Sequence, residues 1–140
     1  MDPASIHDVL SGDHAAMGRL LHDLQVRPST DSLDAFEAAI SRHMAWEETV
    51  LFPALLALPG DRRRHVDSLV ADHDLIRDHL RSLRAHLAAS RRDAAHAELD
   101  LLLIRLTGHN DDEEYGAYRD IDRFATETSR RAMLARFAGA

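Results

Sequence analysis

The sequence contains no cysteine, and this absence excludes disulfides, zinc-thiolate sites, iron-sulfur clusters and thiol nucleophiles. Redox chemistry would therefore need a metal held by other side chains, or an organic cofactor. Basic residues are also scarce relative to acidic ones: 17 arginines and no lysine stand against 24 acidic residues, which gives a formal net charge of -7. This balance argues against nucleic-acid or anionic-membrane partners, since both require a basic surface.

Long apolar runs are missing as well. No stretch approaches the roughly 20 residues that cross a bilayer, and the start, MDPASIHD, lacks the basic and apolar regions of a secretion signal. We therefore expect a cytoplasmic protein. A chain of 140 residues has the usual size of one domain, so we predict a single domain over residues 1–140.

Glycine and proline are few, and they cluster with polar residues where the chain must turn. Such clusters lie at residues 26–30 and 58–61, and a weaker polar junction lies at residues 90–93. Between them apolar residues recur every three or four positions, the period of an amphipathic helix. The sequence thus predicts an all-α fold, an up-down-up-down four-helix bundle with a short C-terminal fifth helix. The predicted helices span residues 4–25, 31–57, 61–89, 92–120 and 126–138.

Three residues carry predictions about helix ends. Asp31 and Asp61 stand where N-caps are expected. Pro53, inside the second predicted helix, should kink or end it, because proline removes a backbone hydrogen bond.

Histidine is the most informative excess, with ten copies. The segments HMAWEETVLFP at 43–53 and HNDDEEYGAYR at 109–119 each place a histidine four residues before a glutamate pair. Upstream of each segment stands a matching Asp-His pair, Asp13-His14 in the first half and Asp72-His73 in the second. The chain therefore consists of two similar helical hairpins, each with a lone histidine on its first helix and a His-x-x-x-Glu on its second.

The spacing of these histidines predicts that they meet. In antiparallel helices, two residues at the same height lie equally far from the connecting turn. The midpoints between successive histidines fall at residues 28–29, 58–59 and 91, which are the three turns identified above. We therefore predict that four histidines lie in one layer of the bundle: His14, His43, His73 and His109.

Helix geometry then selects the carboxylates. Residues four apart lie about 40° apart around an α-helix, so the first glutamate of each pair, Glu47 or Glu113, shares the face of its histidine. The second, Glu48 or Glu114, should point about 140° away, toward the rim or solvent. Buried carboxylates are costly unless they are paired or bound to metal. A bundle with satisfied polar core residues is the alternative to a metal site.

The predicted ligands are four imidazoles and two carboxylates, a set that suits iron or manganese. Two such ions would use all six groups and leave positions free for small oxygen-containing molecules. A mononuclear zinc site would leave two ligands idle, which makes it the weaker interpretation.

Four further residues near the predicted ligands have less defined roles. Asp13 and Asp72 could bond the imidazoles, although capping or solvation is the commoner role for such residues. Tyr118 could line the pocket or bind a metal, although a core tyrosine with its hydroxyl at the edge is commoner. His7 would share the face of His14 only if the helix runs through the intervening glycine.

The pattern His14, His43-x-x-x-Glu47, His73, His109-x-x-x-Glu113, with Leu51-Phe52-Pro53, resembles the hemerythrin family in its bacterial HHE-type branch. The likeness covers nearly the whole chain. It implies a non-haem di-iron centre in which both glutamates bridge and an oxo or hydroxo group lies between the metals. By the same resemblance, His14 and His43 would bind one iron, and His73 and His109 would bind the other.

Two positions depart from the oxygen-carrying members of that family. Arg77 stands where they have a further histidine, and His109 is followed by glutamates at four and five residues where they have an aspartate at five. One iron would therefore lose a histidine, and the centre would be more open and more nearly symmetric. The remaining set is more similar to hemerythrin-like proteins linked to peroxide decomposition, nitric-oxide responses and iron sensing.

We therefore expect an enzyme of the catalase or peroxidase type that decomposes hydrogen peroxide in oxidative-stress defence. The alternative is a module that binds or senses dioxygen, nitric oxide or iron without turnover. Iron delivery is a third alternative, weakened because no cysteine-bearing segment is present. The expected partners are small molecules, with no nucleic acid and no membrane.

Overall fold

Helices form all the regular structure in the computed structural model, which describes residues 5–139. The first hairpin contains α1, Ile6–Val26, and α2, Thr30–Trp46, which continues through a π-helical turn, Glu47–Leu51, into α3, Phe52–Ala57. The second contains α4, Arg63–Ala88, and α5, Arg92–Asp112, which continues through another π-helical turn, Glu113–Ala117, into α6, Tyr118–Phe124. The C-terminal helix, α7, spans Glu127–Ala138.

The all-α class and the short C-terminal helix are confirmed. The largest boundary difference lies in the fourth long run of helix, which was expected to end near residue 120 and continues to Phe124. α1 packs against α2 and α6, while α4 packs against α5 and α2. Within residues 5–139, no helix combines the length and the apolar character needed to cross a bilayer.

The predicted N-cap of α2 is wrong by two residues. Ser29, not Asp31, precedes the helix, and its hydroxyl accepts a hydrogen bond from the Ser32 N–H while the Ser32 hydroxyl accepts one from the Ser29 N–H. Asp31 lies in the first turn instead, where a negative charge favours the helix dipole. The other predicted N-cap is wrong by one residue, since Arg62 precedes α4; Asp61 accepts a hydrogen bond from the N–H of Arg63, the first residue of that helix.

Pro53 does not end the second long run of helix, which continues to Ala57. The proline is the second residue of α3 and follows the π-helical turn, in which the Phe52 N–H bonds to the Glu47 carbonyl five residues back. The regular ladder of hydrogen bonds is therefore already interrupted where proline lacks its N–H. This placement lowers the cost of the proline.

The apolar core is divided into two clusters. One includes Leu10, Leu51 and Tyr118, and the other includes Leu24 and Phe36. Six buried polar residues lie where the long runs of helix pass from one cluster to the other: His14, His43, Glu47, His73, His109 and Glu113. The fold thus places a polar layer between two apolar ones.

Asp122 of α6 ties that helix to the start of α1. Its carboxylate accepts hydrogen bonds from the N–H groups of Ile6 and His7, at 2.7 and 2.9 Å, and from the Ser5 hydroxyl at 3.3 Å. These N–H groups have no partners within their own helix. The carboxylate therefore acts as a helix cap supplied from the far end of the sequence.

We expect Asp122→Ala to lower the free energy of unfolding by about 1–2 kcal/mol, the usual effect of losing a helix cap. Asp122→Asn should lose less, since its amide oxygen still accepts one of the bonds. Urea unfolding of the three proteins measures the difference. An alanine variant as stable as the wild type would contradict this role.

Candidate metal centre

The four predicted histidine ligands are buried and meet in two pairs. Nε2 of His14 lies 3.2 Å from Nε2 of His43, and the ring centroids of His73 and His109 are 4.9 Å apart. None of the four is more than 7 % exposed. Each hairpin therefore contributes one pair, as the repeat predicts.

Glu47 lies between the two pairs. One of its carboxylate oxygens, Oε1, is 3.2 Å from Nε2 of His73, and the other, Oε2, is 3.3 Å from Nε2 of His43. The residue is fully buried. A carboxylate placed in this way presents one oxygen to each histidine pair, which is the arrangement that a bridging ligand requires.

Glu113 completes the polar layer and leaves one atom unsatisfied. Its Oε1 lies 3.2 Å from Nε2 of His14 and 3.3 Å from Nε2 of His109. Its Oε2 is buried and has no hydrogen-bond partner within the described part of the chain. Buried oxygens without partners are rare in folded proteins, and a bound cation would satisfy this one.

Two overlapping groups of residues are capable of holding a metal ion. Glu47, His73, His109 and Glu113 form one, and His14, His43 and Glu113 form the other; within each, the ligand atoms lie within 4.8 Å of one another. Imidazole nitrogen and carboxylate oxygen are suitable donors for iron, manganese or zinc. The residues present therefore fit a metal, and Glu113 belongs to both groups.

The π-helical turns explain why the residues that follow each glutamate by five positions, Phe52 and Tyr118, face the polar layer. In an α-helix, residues five apart point about 140° away from each other. In each π-helical turn the hydrogen bond reaches back five residues instead, from Phe52 N–H to Glu47 and from Tyr118 N–H to Glu113. The residue five positions after each glutamate is thereby brought to nearly the same face.

Tyr118 consequently lies at the centre of the site. It lines the candidate metal site, and the preferred interpretation, in which its hydroxyl lies at the edge, is wrong. Its hydroxyl donates a hydrogen bond to Glu47 Oε2 at 2.7 Å, and it lies 3.1 and 3.2 Å from Nε2 of His14 and His43. Burial and the charges of Glu47 and Glu113 raise the pKa of Tyr118 well above its usual value, so the hydroxyl keeps its proton. Phe52 is the matching residue of the other half, with its ring 5.4 Å from that of His73.

Two aspartates hold imidazoles across the helix interfaces. Asp13 of α1 accepts a hydrogen bond from Nδ1 of His43 at 2.6 Å, and Asp72 of α4 accepts one from Nδ1 of His109 at 2.9 Å. Capping or solvation was the preferred interpretation of both residues, and it is wrong. Each aspartate precedes a ligand histidine by one residue, which directs it sideways to the next helix.

The second glutamate of each pair also holds an imidazole. Glu48 accepts a hydrogen bond from Nδ1 of His73 at 2.8 Å, and Glu114 accepts one from Nδ1 of His14 at 2.7 Å. Both lie at the rim, as expected, but with only 29 % and 28 % of their side chains exposed. Both side chains point away from the bundle axis, yet they reach a histidine on a neighbouring helix instead of solvent.

All four imidazoles thus donate Nδ1–H to a carboxylate. This bond fixes the ring orientation and leaves Nε2, the nitrogen that faces the interior, to act as a metal ligand. The sequence signal for these partners was the recurrence of Asp-His and Glu-Glu in both hairpins.

Charges in the polar layer shift the pKa values of its members. Burial lowers the pKa of His109, but Glu113, Glu47 and Asp72 outweigh that effect and raise the pKa to about 9. Burial raises the pKa of Glu113, but hydrogen bonds from the surrounding imidazoles hold it well below its usual value. A cation binding here would therefore displace a proton from His109.

The remaining histidines lie outside this layer. His7, which shares a helix with His14, places its Nδ1 3.2 Å from Asp8 at the surface. His79 pairs with Glu98 at 2.6 Å in the second hairpin.

We expect Asp72→Ala to weaken metal binding about 10- to 100-fold, the usual effect of removing the partner of a ligand imidazole. The reason is that His109 would lose the bond that orients its ring. Competition with a chelator measures the affinity. Asp100→Ala, an exposed change on α5, is the control. Equal affinities in both variants would show that Asp72 does not position the ligand.

Comparison with known proteins adds one finding. Residues 5–121 match the hemerythrin HHE cation-binding domain. No curated protein and no solved structure matched the chain. The matched range contains all six predicted ligands, both π-helical turns and the four carboxylates that hold the imidazoles. The chain therefore belongs to the hemerythrin family of HHE cation-binding domains.

Proposed function

We propose that this protein is a non-haem di-iron enzyme that decomposes hydrogen peroxide in the manner of a catalase. The observation that carries the proposal is the placement of Glu47, whose two oxygens face different histidine pairs. A mononuclear site would need only one of those pairs. Two ions would use both pairs, and they would also give the unpartnered Oε2 of Glu113 a positive neighbour.

The proposed ligands divide between the hairpins. His14 and His43 would hold one iron, His73 and His109 the other, and Glu47 and Glu113 would bridge them. Iron and manganese both accept this donor set and both change oxidation state readily, and iron is proposed because the resemblance to the hemerythrin family implies it. When bound, the pair of ions would supply reversible electron transfer and open coordination positions.

The chain's own residues would prepare the site for that chemistry. The four rim carboxylates orient the imidazoles through Nδ1, while the two apolar clusters limit the access of water. The Tyr118 hydroxyl oxygen lies 2.7 Å from Glu47 Oε2 and donates a hydrogen bond to it. The overall reaction is balanced without another reductant, because one peroxide molecule is oxidised to dioxygen while a second is reduced to water.

Several broader features belong to the same proposal. The four long runs of helix would form one up-down-up-down bundle and one domain, acting in the cytoplasm on small molecules. The pairing of successive histidines at one height supports this topology, since antiparallel neighbours joined by short turns produce it.

Oxygen release after addition of hydrogen peroxide to iron-loaded protein tests the proposal. An oxygen electrode should record many equivalents of dioxygen per bound iron, and the double variant Glu47→Ala with Glu113→Ala should release none. Free iron at the same concentration is the control for unspecific chemistry. A di-iron centre that releases no oxygen would contradict the proposed enzyme.

A second candidate is a module that binds or senses dioxygen, nitric oxide or iron without turnover. The complete burial of Glu47 and Glu113 favours it, because a closed site suits retention of a ligand better than rapid exchange. This candidate predicts a stable spectroscopic adduct, or an iron-dependent gain in stability, in place of oxygen release.

A further inference from the structure

The two halves of the centre differ at one matched position. Gly18 lies four residues after His14, and Arg77 lies four residues after His73. Both positions follow the lone histidine of a hairpin on its first helix. Residues four apart share a helix face, so each stands beside its histidine.

In the second hairpin this position is filled. The Arg77 guanidinium donates hydrogen bonds to both oxygens of Glu48, at 2.6 and 3.1 Å, and to Asp74 at 3.2 Å. Glu48 in turn accepts the Nδ1–H of His73. A long charged side chain therefore crosses the surface beside His73 and is held at its far end.

In the first hairpin the matching position is open. A Cβ atom added at Gly18 would meet no described atom within 4 Å apart from its chain neighbours and the nearby backbone of its own helix. Gly18 and His14 both line a pocket of about 200 Å³. Most of its other lining is apolar: Met17, Leu21, Phe36, Ile40, Leu103 and Leu106.

The composition of the pocket determines what it can hold. Its lining contains no aspartate, glutamate, lysine or arginine among the described residues, so an ion would lose hydration there without gaining a partner. Its polar groups beyond His14 are Thr107 and Asn110. A small uncharged molecule suits such a lining, and the pocket is larger than one needs.

We propose that this pocket is the access and holding site for an uncharged molecule of two heavy atoms on its way to the centre, and that Gly18 keeps it open. Arg77 fills the corresponding place in the other half. A pocket does border His109 there, but Asp72, Arg105 and Asp112 line it, so an uncharged molecule is better suited to the pocket beside His14. The pocket itself is independent of metal, whereas its role in delivery rests on the proposed function.

Xenon binding to the metal-free protein tests the pocket. Xenon occupies apolar cavities, and Met17, whose methyl group can be labelled with ¹³C, lines this one. The Met17 signal should shift with xenon pressure and saturate, while Met133, in the other apolar cluster, serves as an internal reference. An unresponsive Met17 would overturn the proposal.

Gly18→Leu should fill the pocket and abolish the Met17 shift. Gly12→Leu is the matched control, because it makes the same change in the same helix at a position that also has no atom of the described chain within 4 Å of an added Cβ. Both variants gain helix propensity, but only Gly18 lines the pocket. A xenon response that survives in Gly18→Leu would sink the assignment.

Nitric oxide binding to ferrous protein then tests delivery. In stopped-flow measurements, Gly18→Leu should slow association about tenfold with unchanged iron content, and Gly12→Leu should not. Equal association rates in both variants would overturn the access role. If the wild-type chain binds no iron, the proposed function fails, while the xenon result still decides whether the pocket exists.

Discussion

Replacing both Glu47 and Glu113 by alanine should abolish metal binding while leaving the helices in place. These residues supply the carboxylate oxygens within reach of both histidine pairs. Their removal would leave two imidazoles for each ion, too few to hold iron against water. Helicity should persist, because burying carboxylates is costly without a metal and alanine favours helix. Bound iron per chain and far-ultraviolet circular dichroism measure the two effects.

Two further variants make this experiment decisive. Glu47→Gln with Glu113→Gln keeps the side-chain volume but removes both charges, and it should also lose the metal. Glu37→Ala with Glu127→Ala makes an equivalent double change at surface glutamates paired with arginines, and it should bind iron normally. Full iron content in the first alanine variant would disprove the ligand assignment.

Metal loading should raise the thermal midpoint of unfolding by roughly 12–16 °C. A ligand that binds only the folded state adds about 4 kcal/mol when its free concentration exceeds Kd about a thousandfold. For a chain of this size each kcal/mol corresponds to about 3–4 °C. The gain has a structural origin, since a cation would compensate the buried carboxylates and satisfy Oε2 of Glu113. Calorimetry under anaerobic conditions, with ferrous iron and then with excess chelator, measures it.

Metal bound by surface histidines is the main alternative explanation for a rise in the thermal midpoint. Glu47→Ala with Glu113→Ala leaves every histidine in place but should show no rise in the thermal midpoint. A rise of equal size in that variant would mean that the metal stabilises the protein from outside the polar layer.

The helices and the meeting of the histidines were predictable because both depend on regular geometry. Clusters of proline, glycine and polar residues located the turns, and turns between antiparallel helices fix which residues are level. The structure places His14 beside His43 and His73 beside His109, as that geometry requires.

The contacts around the imidazoles were not predictable from one helix at a time. Glu48 and Asp13 point away from the bundle axis, and a helical-wheel argument assigns such residues to solvent. Their partners lie on neighbouring helices, so only the packing of two helices reveals them. The expectation for Tyr118 failed for another reason, since it rested on the commoner place of a core tyrosine hydroxyl. The π-helical turn that brings Tyr118 to the face of Glu113 was not predicted.

The covalent link between the hairpins frees the centre from strict symmetry. If two identical hairpins associated as a twofold dimer, every residue would occur in both halves of the site. In this chain the connection from α3 to α4 joins two hairpins. The hairpins carry the same kinds of candidate ligand but differ in the residues beside those ligands. Phe52 lies beside His73 and Tyr118 lies beside His14. Arg77 and Gly18 differ in the same way, each four residues after the histidine of its own half. A single gene product can therefore give its two histidine pairs separate tasks, which a homodimer of half the length could not do.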